Sequence, residues 1–173
     1  QIEGSIDFVG FLSGTASLTI EYREDSFYLG GFATINIAGL ATATISLDVL
    51  ITSDGLTLDA GIAINADIAG IITLDVKGRL VINTTNVPVT IDAKTYDLAG
   101  GGTVKVVQKN YAANSFLLDV SGDISILDVL NFNTGLKIQV GGGEFDNQGR
   151  GAVNPDLADQ NLEAGEWAVS FTG

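Results

Sequence analysis

The 173 residues are enough for one domain with a substantial core and awkward for two. Apolar residues make up 46% and charged residues 17%, which excludes a disordered tail, and 8 basic against 21 acidic residues give a net charge of -13 that repels nucleic acid and anionic membrane surfaces. Cysteine and histidine are both absent, so disulfides, thiolate or imidazole metal sites and every nucleophile arrangement built on them are excluded, and no enzyme is expected.

The chain opens on alternation. Even positions from Ile2 to Tyr22 are all apolar or glycine. The same holds for odd positions from Phe27 to Ile51 and for even positions from Leu56 to Ile82. A fourth run covers Phe116 to Val140, where only Asp128 and Thr134 break the rule. Period-two alternation marks β-strands with one apolar face. No run of about 18 apolar residues suggests a membrane helix, so no transmembrane segment is expected.

The phase flips between runs across four polar residues: "REDS" from Tyr22 to Phe27, "TSDG" from Ile51 to Leu56, and "NTTN" from Ile82 to Val87. Residues flanking an antiparallel hairpin loop share a face, so a four-residue loop places in-facing residues at i and i+5. "AANS", from Tyr111 to Phe116, and "GGGE", from Val140 to Phe145, extend the series. The expected fold is all-β: long curled antiparallel strands with four-residue hairpin loops around an apolar interior. Glycines on the favoured face, among them Gly10, Gly14, Gly31, Gly39, Gly70, Gly78 and Gly122, permit the bending. A parallel β-solenoid with rungs of about 30 residues is the alternative. The run from Val87 is irregular, with a break expected at Gly100 to Gly102. The organisation expected is a single unit, 1–173, with a long irregular loop at about 146–165, after which alternation resumes at Trp167, Val169 and Phe171.

The two ends match in phase. "WAVSFTG" followed by "QIEGSIDFVGFLSG" would make one further alternating strand. Open apolar edges invite pairing with another chain, so Ile2, Ile6, Phe8, Trp167, Val169 and Phe171 form the candidate assembly interface. The expected partners are copies of the chain or adjacent repeats, head to tail, and the lack of methionine points to a matured product or a segment of a longer polypeptide.

The stretches "ADIAGIITLDVK", "GRLVINTTNVPV" and "FLLDVSGDISILDVLNFNTGLKIQV" resemble the repeat segments of giant secreted bacterial surface proteins of the adhesin type, in their Leu/Ile-x-Gly-x-Leu/Ile strands and the turn Asn83, Thr84, Thr85. That resemblance implies a passive, rod-like module of an extracellular filament or cell-surface protein, with no catalytic residue to carry over. A second resemblance is to lipid-conducting β-groove proteins of the AsmA and TamB kind, which implies a lipid-binding or lipid-conducting trough.

The remaining polar signals have structural readings. Asp128, alone on a favoured face, has no second acid for paired-carboxylate hydrolysis and marks a slip in phase or a turn. Asp48, Asp59, Asp67, Asp75, Asp119 and Asp123 are expected to face outward and be mostly solvated, with a shared calcium open as the alternative. "GGGEFDNQGRG" fits neither a calcium-binding repeat nor a phosphate loop. Asn83-Thr84-Thr85 is a glycosylation sequon at an expected turn tip. Trp167, the one tryptophan, is expected in the core or at a junction between units.

Overall fold

Each long run of alternation is two strands rather than one. The computed structural model describes residues 2–8, 12–98, 101–141, 162–163 and 165–173, with the side chains of residues 6–8 outside the description. The strands in chain order are β1 (Ile2–Phe8), β2 (Leu12–Arg23), β3 (Ser26–Ile37), β4 (Ala41–Thr52), β5 (Gly55–Ile68), β6 (Ile72–Asn83), β7 (Val89–Ile91), β8 (Lys94–Asp97), β9 (Thr103–Val106), β10 (Lys109–Tyr111), β11 (Ser115–Ile126), β12 (Leu130–Val140) and β13 (Trp167–Thr172). Nine of them form one sheet in the order β1-β2-β3-β4-β5-β6-β11-β12-β13, which is not closed. Every pairing is antiparallel, which excludes parallel rungs among the described residues.

The long uninterrupted phase has a local cause. Ile37 pairs with Ala41, Ile68 with Ile72 and Ile126 with Leu130, so each run folds back across a three-residue turn. Ala38 and Gly39, Ala69 and Gly70, and Leu127 and Asp128 all have positive φ, and the amides of Leu40, Ile71 and Val129 donate to the carbonyls of Ile37, Ile68 and Ile126. Consecutive positive φ values give a turn whose twist suits a hairpin. An odd-numbered turn returns the chain in the same parity, so these hairpins leave no mark on the alternation. Asp128 breaks the apolar rule because it sits in such a turn, at φ 54°.

At the opposite end of the sheet Tyr22 pairs with Phe27 and Ile51 with Leu56, and the strands run on to Arg23 opposite Ser26 and Thr52 opposite Gly55. Two residues, 24–25 and 53–54, remain as tips. The hairpins expected across "NTTN" and "AANS" do not form. Ile82 pairs with Leu58 and Phe116, and Tyr111 with Val89. The chain leaves the sheet after Asn83 and returns at Ser115, which pairs with Asn83. Between them lie two small ladders, β7 with β10 and β8 with β9; of the break expected at Gly100 to Gly102, Gly101 and Gly102 lie between the latter two strands and Gly100 lies outside the described residues. The Val140 to Phe145 pairing and most of the loop at 146–165 lie outside the described residues, as does Gly10.

The core is on the other side of the sheet from the one the alternation suggests. The 84–114 insertion packs on the polar face. There Tyr28, Val81 and Leu117 of the sheet meet Ile91 and Tyr111 of the insertion, with Leu50 packed against them. The apolar face is half-buried or exposed along its length: Ile45 is 40% accessible and Phe132 54%. The expected interior on the apolar face is therefore corrected: burial is on the polar-parity face, where a small apolar cluster lies beside buried polar and charged side chains. Hydrophobic burial alone would fold the apolar face inward, but one sheet has no second layer of its own to place there, and among the described residues the long segment outside the sheet, 84–114, carries the tyrosines and lysine that match the polar side.

Candidate functional site

The polar face holds a closed network of charges. Asp48 and Asp59 are opposite each other on β4 and β5, an arrangement that repels unless a cation intervenes. Lys109 of β10 supplies it: its Nζ donates to Asp48 Oδ2 and lies 3.4 Å from Asp59 Oδ2. Arg79 of β6 grips Asp59 through Nε at 3.3 Å and Nη2 at 3.1 Å. Tyr111 donates to Asp59 at 2.9 Å and Tyr28 to Asp48 at 2.6 Å, and the Tyr28 and Tyr96 hydroxyls are 3.0 Å apart. Gly30 makes room for this: a Cβ there would lie 2.0 Å from the Tyr28 hydroxyl and 2.4 Å from that of Tyr96. Asp48, Asp59, Arg79 and Lys109 are all buried, as is the separate pair of Asp119 and Lys137 at 3.3 Å.

The network fastens the insertion to the sheet. Its carboxylates are covered and already occupied by cations and hydroxyls, which leaves them no reach to a substrate. The expectation that the outward aspartates are mostly solvated is thus corrected for Asp48, Asp59 and Asp119; Asp75 and Asp123 are strand neighbours further along the same face. No group of three or more acids placed to hold a metal occurs among the described residues. Asn83 is no turn tip: it is buried, accepts from the Thr57 and Thr85 side chains and donates to the Ala112 carbonyl, so a glycan has no access to it.

Burial raises the Tyr28 hydroxyl well above the ordinary tyrosine value of 10, helped by its bond to Asp48, and burial with the Asp59 charge does the same for Tyr111. The native state then keeps protons that the unfolded state releases, so this stability is complete below pH 10 and falls as pH rises beyond it. We expect a loss of about 1.4 kcal/mol per pH unit for each tyrosine above pH 10, read from denaturant midpoints, with the slope halved in Tyr111→Phe. At the edge of the network Lys94 bonds Glu21 and holds that carboxyl below its usual range, and the Lys94 ammonium lies 4.5 Å from the Tyr28 ring centre.

Beyond the insertion the polar face is an open groove of about 650 Å³. Its lining runs from Thr42 on β4 through Asn65, Asp75 and Ser125 to Asn133 on β12, five neighbouring strands. The apolar face has a smaller hollow of about 390 Å³ among Ile45, Ile62, Leu80 and Val120.

The expected interface residues lie on the two outer strands. Ile2 on β1 is 62% accessible, and on β13 Trp167 is 71% and Phe171 76% accessible, with Val169 less so. Trp167 is thus outside the core. Ile6 and Phe8 belong to β1, but their side chains lie outside the described residues. Sequence reasoning missed Lys109, Arg79, Tyr28 and Tyr111. A signal was present: Tyr28, Leu50, Val81 and Leu117 are large apolar residues on the polar parity, all near the same end of the sheet.

Each outer strand covers half of its neighbour. β1 pairs with residues 12–18 of β2 and β13 with residues 135–140 of β12. On their outer sides, residues 19–23 of β2 and 130–134 of β12 have no strand partner among the described residues. The described residues contain no helix long and apolar enough to cross a membrane. Compared with family models, curated proteins and solved structures, the chain matches none.

Proposed function

We propose that this chain is a structural module of an extracellular filament or giant surface protein, joined to copies of itself or to adjacent repeats through its sheet edges. The complementary half-covered edges carry this reading. β13 occupies the half of its edge nearest the 24–25 and 53–54 tips, and β1 the half nearest the three-residue turns. Both strands are antiparallel to neighbours that run the same way, so β13 of one module and β1 of the next, placed in line, make one full strand. That strand fills both vacant half-edges, supplying backbone partners that an exposed edge otherwise lacks. Apolar parity is kept across the junction, with Phe171 paired to Leu136 and Ile2 to Leu18 on the apolar face. The lipid-conducting alternative needs apolar side chains lining a long trough, and the hollow they line here, among Ile45, Ile62, Leu80 and Val120, is smaller than the groove on the polar face.

Electron microscopy and mass measurement over a concentration series test this. Oligomers or fibres that lengthen with concentration are expected, unchanged by EDTA because the buried aspartates already have Lys and Arg partners. A single monomeric species up to about 100 µM, a concentration at which edge contacts of ordinary affinity form, would refute the module.

A further inference from the structure

We propose that Lys109 and Asp48 condense into an intramolecular amide, an isopeptide bond that ties the 84–114 insertion to β4, with Asp59 as the proton carrier. The ion pair of Lys109 and Asp48 is the reactant state of this reaction. Nothing in it depends on how modules join, because every atom it uses lies within one chain.

Amide formation between side chains needs an amine held against a carboxyl group, a route for the proton and a site closed to bulk water. Lys109 Nζ donates to Asp48 Oδ2, so the contact is made. Lys109 and Asp48 are each 2% accessible and Asp59 is 0%. Fixed contact of this kind replaces the encounter that limits the same reaction in solution. An ion pair in a dry site also carries the desolvation cost of two charges, and a neutral amide does not. Burial thus favours the product.

The groups around Asp48 hold distinct places. Tyr28 donates to its other oxygen, Oδ1, at 2.6 Å, which leaves Oδ2 as the oxygen facing the amine. Asp59 stands opposite Asp48 on β5, with its Oδ2 3.4 Å from Nζ. Arg79 and Tyr111 fix that second carboxylate in place.

The reaction follows from these contacts. The ammonium proton passes along the hydrogen bond to Asp48 Oδ2, giving an amine and a carboxylic acid. The Nζ lone pair then forms the bond to Cγ, and the carbonyl electron pair moves onto Oδ1, where the Tyr28 hydroxyl stabilises the charge. Asp59 takes one proton from the nitrogen and returns it to the Oδ2 hydroxyl. The Cγ–Oδ2 bond breaks, water leaves, and the electron pair on Oδ1 re-forms the carbonyl. One positive and one negative charge disappear together, and no oxidant or activating group is required.

The second buried pair provides a contrast. Asp119 and Lys137 are 3.3 Å apart, but the strand neighbours of Asp119 are Lys137 and Arg79, so a second cation stands where Asp48 has a second carboxylate. That pair lacks the proton carrier in its ladder and stays ionic.

The test is intact mass and peptide mapping of the full chain, purified folded and then denatured. We expect a mass about 18 Da below that of the sequence, the loss of one water. Trypsin does not cut after an acylated lysine, so a branched species joining 24–77 to 106–137 should appear, with fragmentation placing the link at Asp48 and Lys109. The branched species decides, because dehydration within a single peptide gives the same mass. Lys109→Arg keeps the cation and should show no link. Asp59→Asn, its fold checked by circular dichroism, should lower the linked fraction formed in equal time by at least about tenfold. Folded parent protein that still yields only separate peptides after several days would overturn the cross-link, whatever the variants do. A parental linked fraction in Asp59→Asn would overturn the role of Asp59. Protein that has not closed the bond keeps the ion pair, and the stability of Lys109→Met is compared with that open form.

Discussion

Lys109→Met is expected to destabilise the fold by about 3 to 5 kcal/mol, the largest single-residue effect in the molecule. Lys109 is the cation between Asp48 and Asp59, which face each other across β4 and β5. Methionine keeps the length of the side chain and removes the charge, leaving two buried carboxylates opposed without the ammonium between them. Part of their desolvation cost then stands uncompensated. Denaturant unfolding should show a lower midpoint, and hydrogen exchange should show amides in β7 and β10 opening before those of the sheet, because Lys109 joins the two. The double variant Lys109→Met with Asp48→Asn should recover a large part of the loss, since it removes one of the two opposed charges along with the cation between them. Equal stability of Lys109→Met and the parent protein would show that the network contributes nothing to holding the insertion.

Proline in the vacant half of β12 should abolish assembly at one of two adjacent positions and unfold the hairpin at the other. Consecutive residues of a strand point their amides to opposite sides, so of Asn131 and Phe132 one donates toward β11 and one toward the free edge. Proline removes the donor and is tolerated only on the edge side. The edge-side variant should keep the parent's melting temperature within a few degrees and remain monomeric under conditions where the parent forms oligomers. The other should lose about 3 kcal/mol or more, since it breaks a ladder bond between β11 and β12. If both variants assemble as the parent does, the free half of β12 takes no part in joining.

Much of the sheet can be read from the chain because alternation records local geometry. Successive side chains of a strand point to opposite faces, so the four runs identify which residues share a face without reference to anything distant. The pairings of Tyr22 with Phe27 and Ile51 with Leu56 follow in the same way from the phase flip across a short polar loop. Parity has a blind spot. A three-residue turn returns the chain in phase, so the hairpins at Gly39, Gly70 and Asp128 pass as continuous strand, and runs of two strands read as one. "NTTN" and "AANS" have the composition of hairpin loops, yet they are the exit and re-entry points of the insertion. Composition cannot tell a loop that joins neighbours from one that leaves the sheet.

The sequence by itself determined that the chain is β, that its strands have one apolar and one polar face, and that Tyr22 meets Phe27 and Ile51 meets Leu56 across short polar loops, which the strand pairing shortens from four residues to two. Each of these depends on residues a few positions apart. Which face is covered was decided only in three dimensions. Alternation is symmetric between inside and outside, and the choice fell to the 84–114 insertion, whose Lys109 and Tyr111 are matched by carboxylates fifty or more residues away. Only when Asp48 and Asp59 are brought side by side by strand pairing do they form a pair of charges that Lys109 can neutralise. Long-range ion pairing and the single-layered sheet together leave the apolar face open, because no remaining described segment of the chain lies across it.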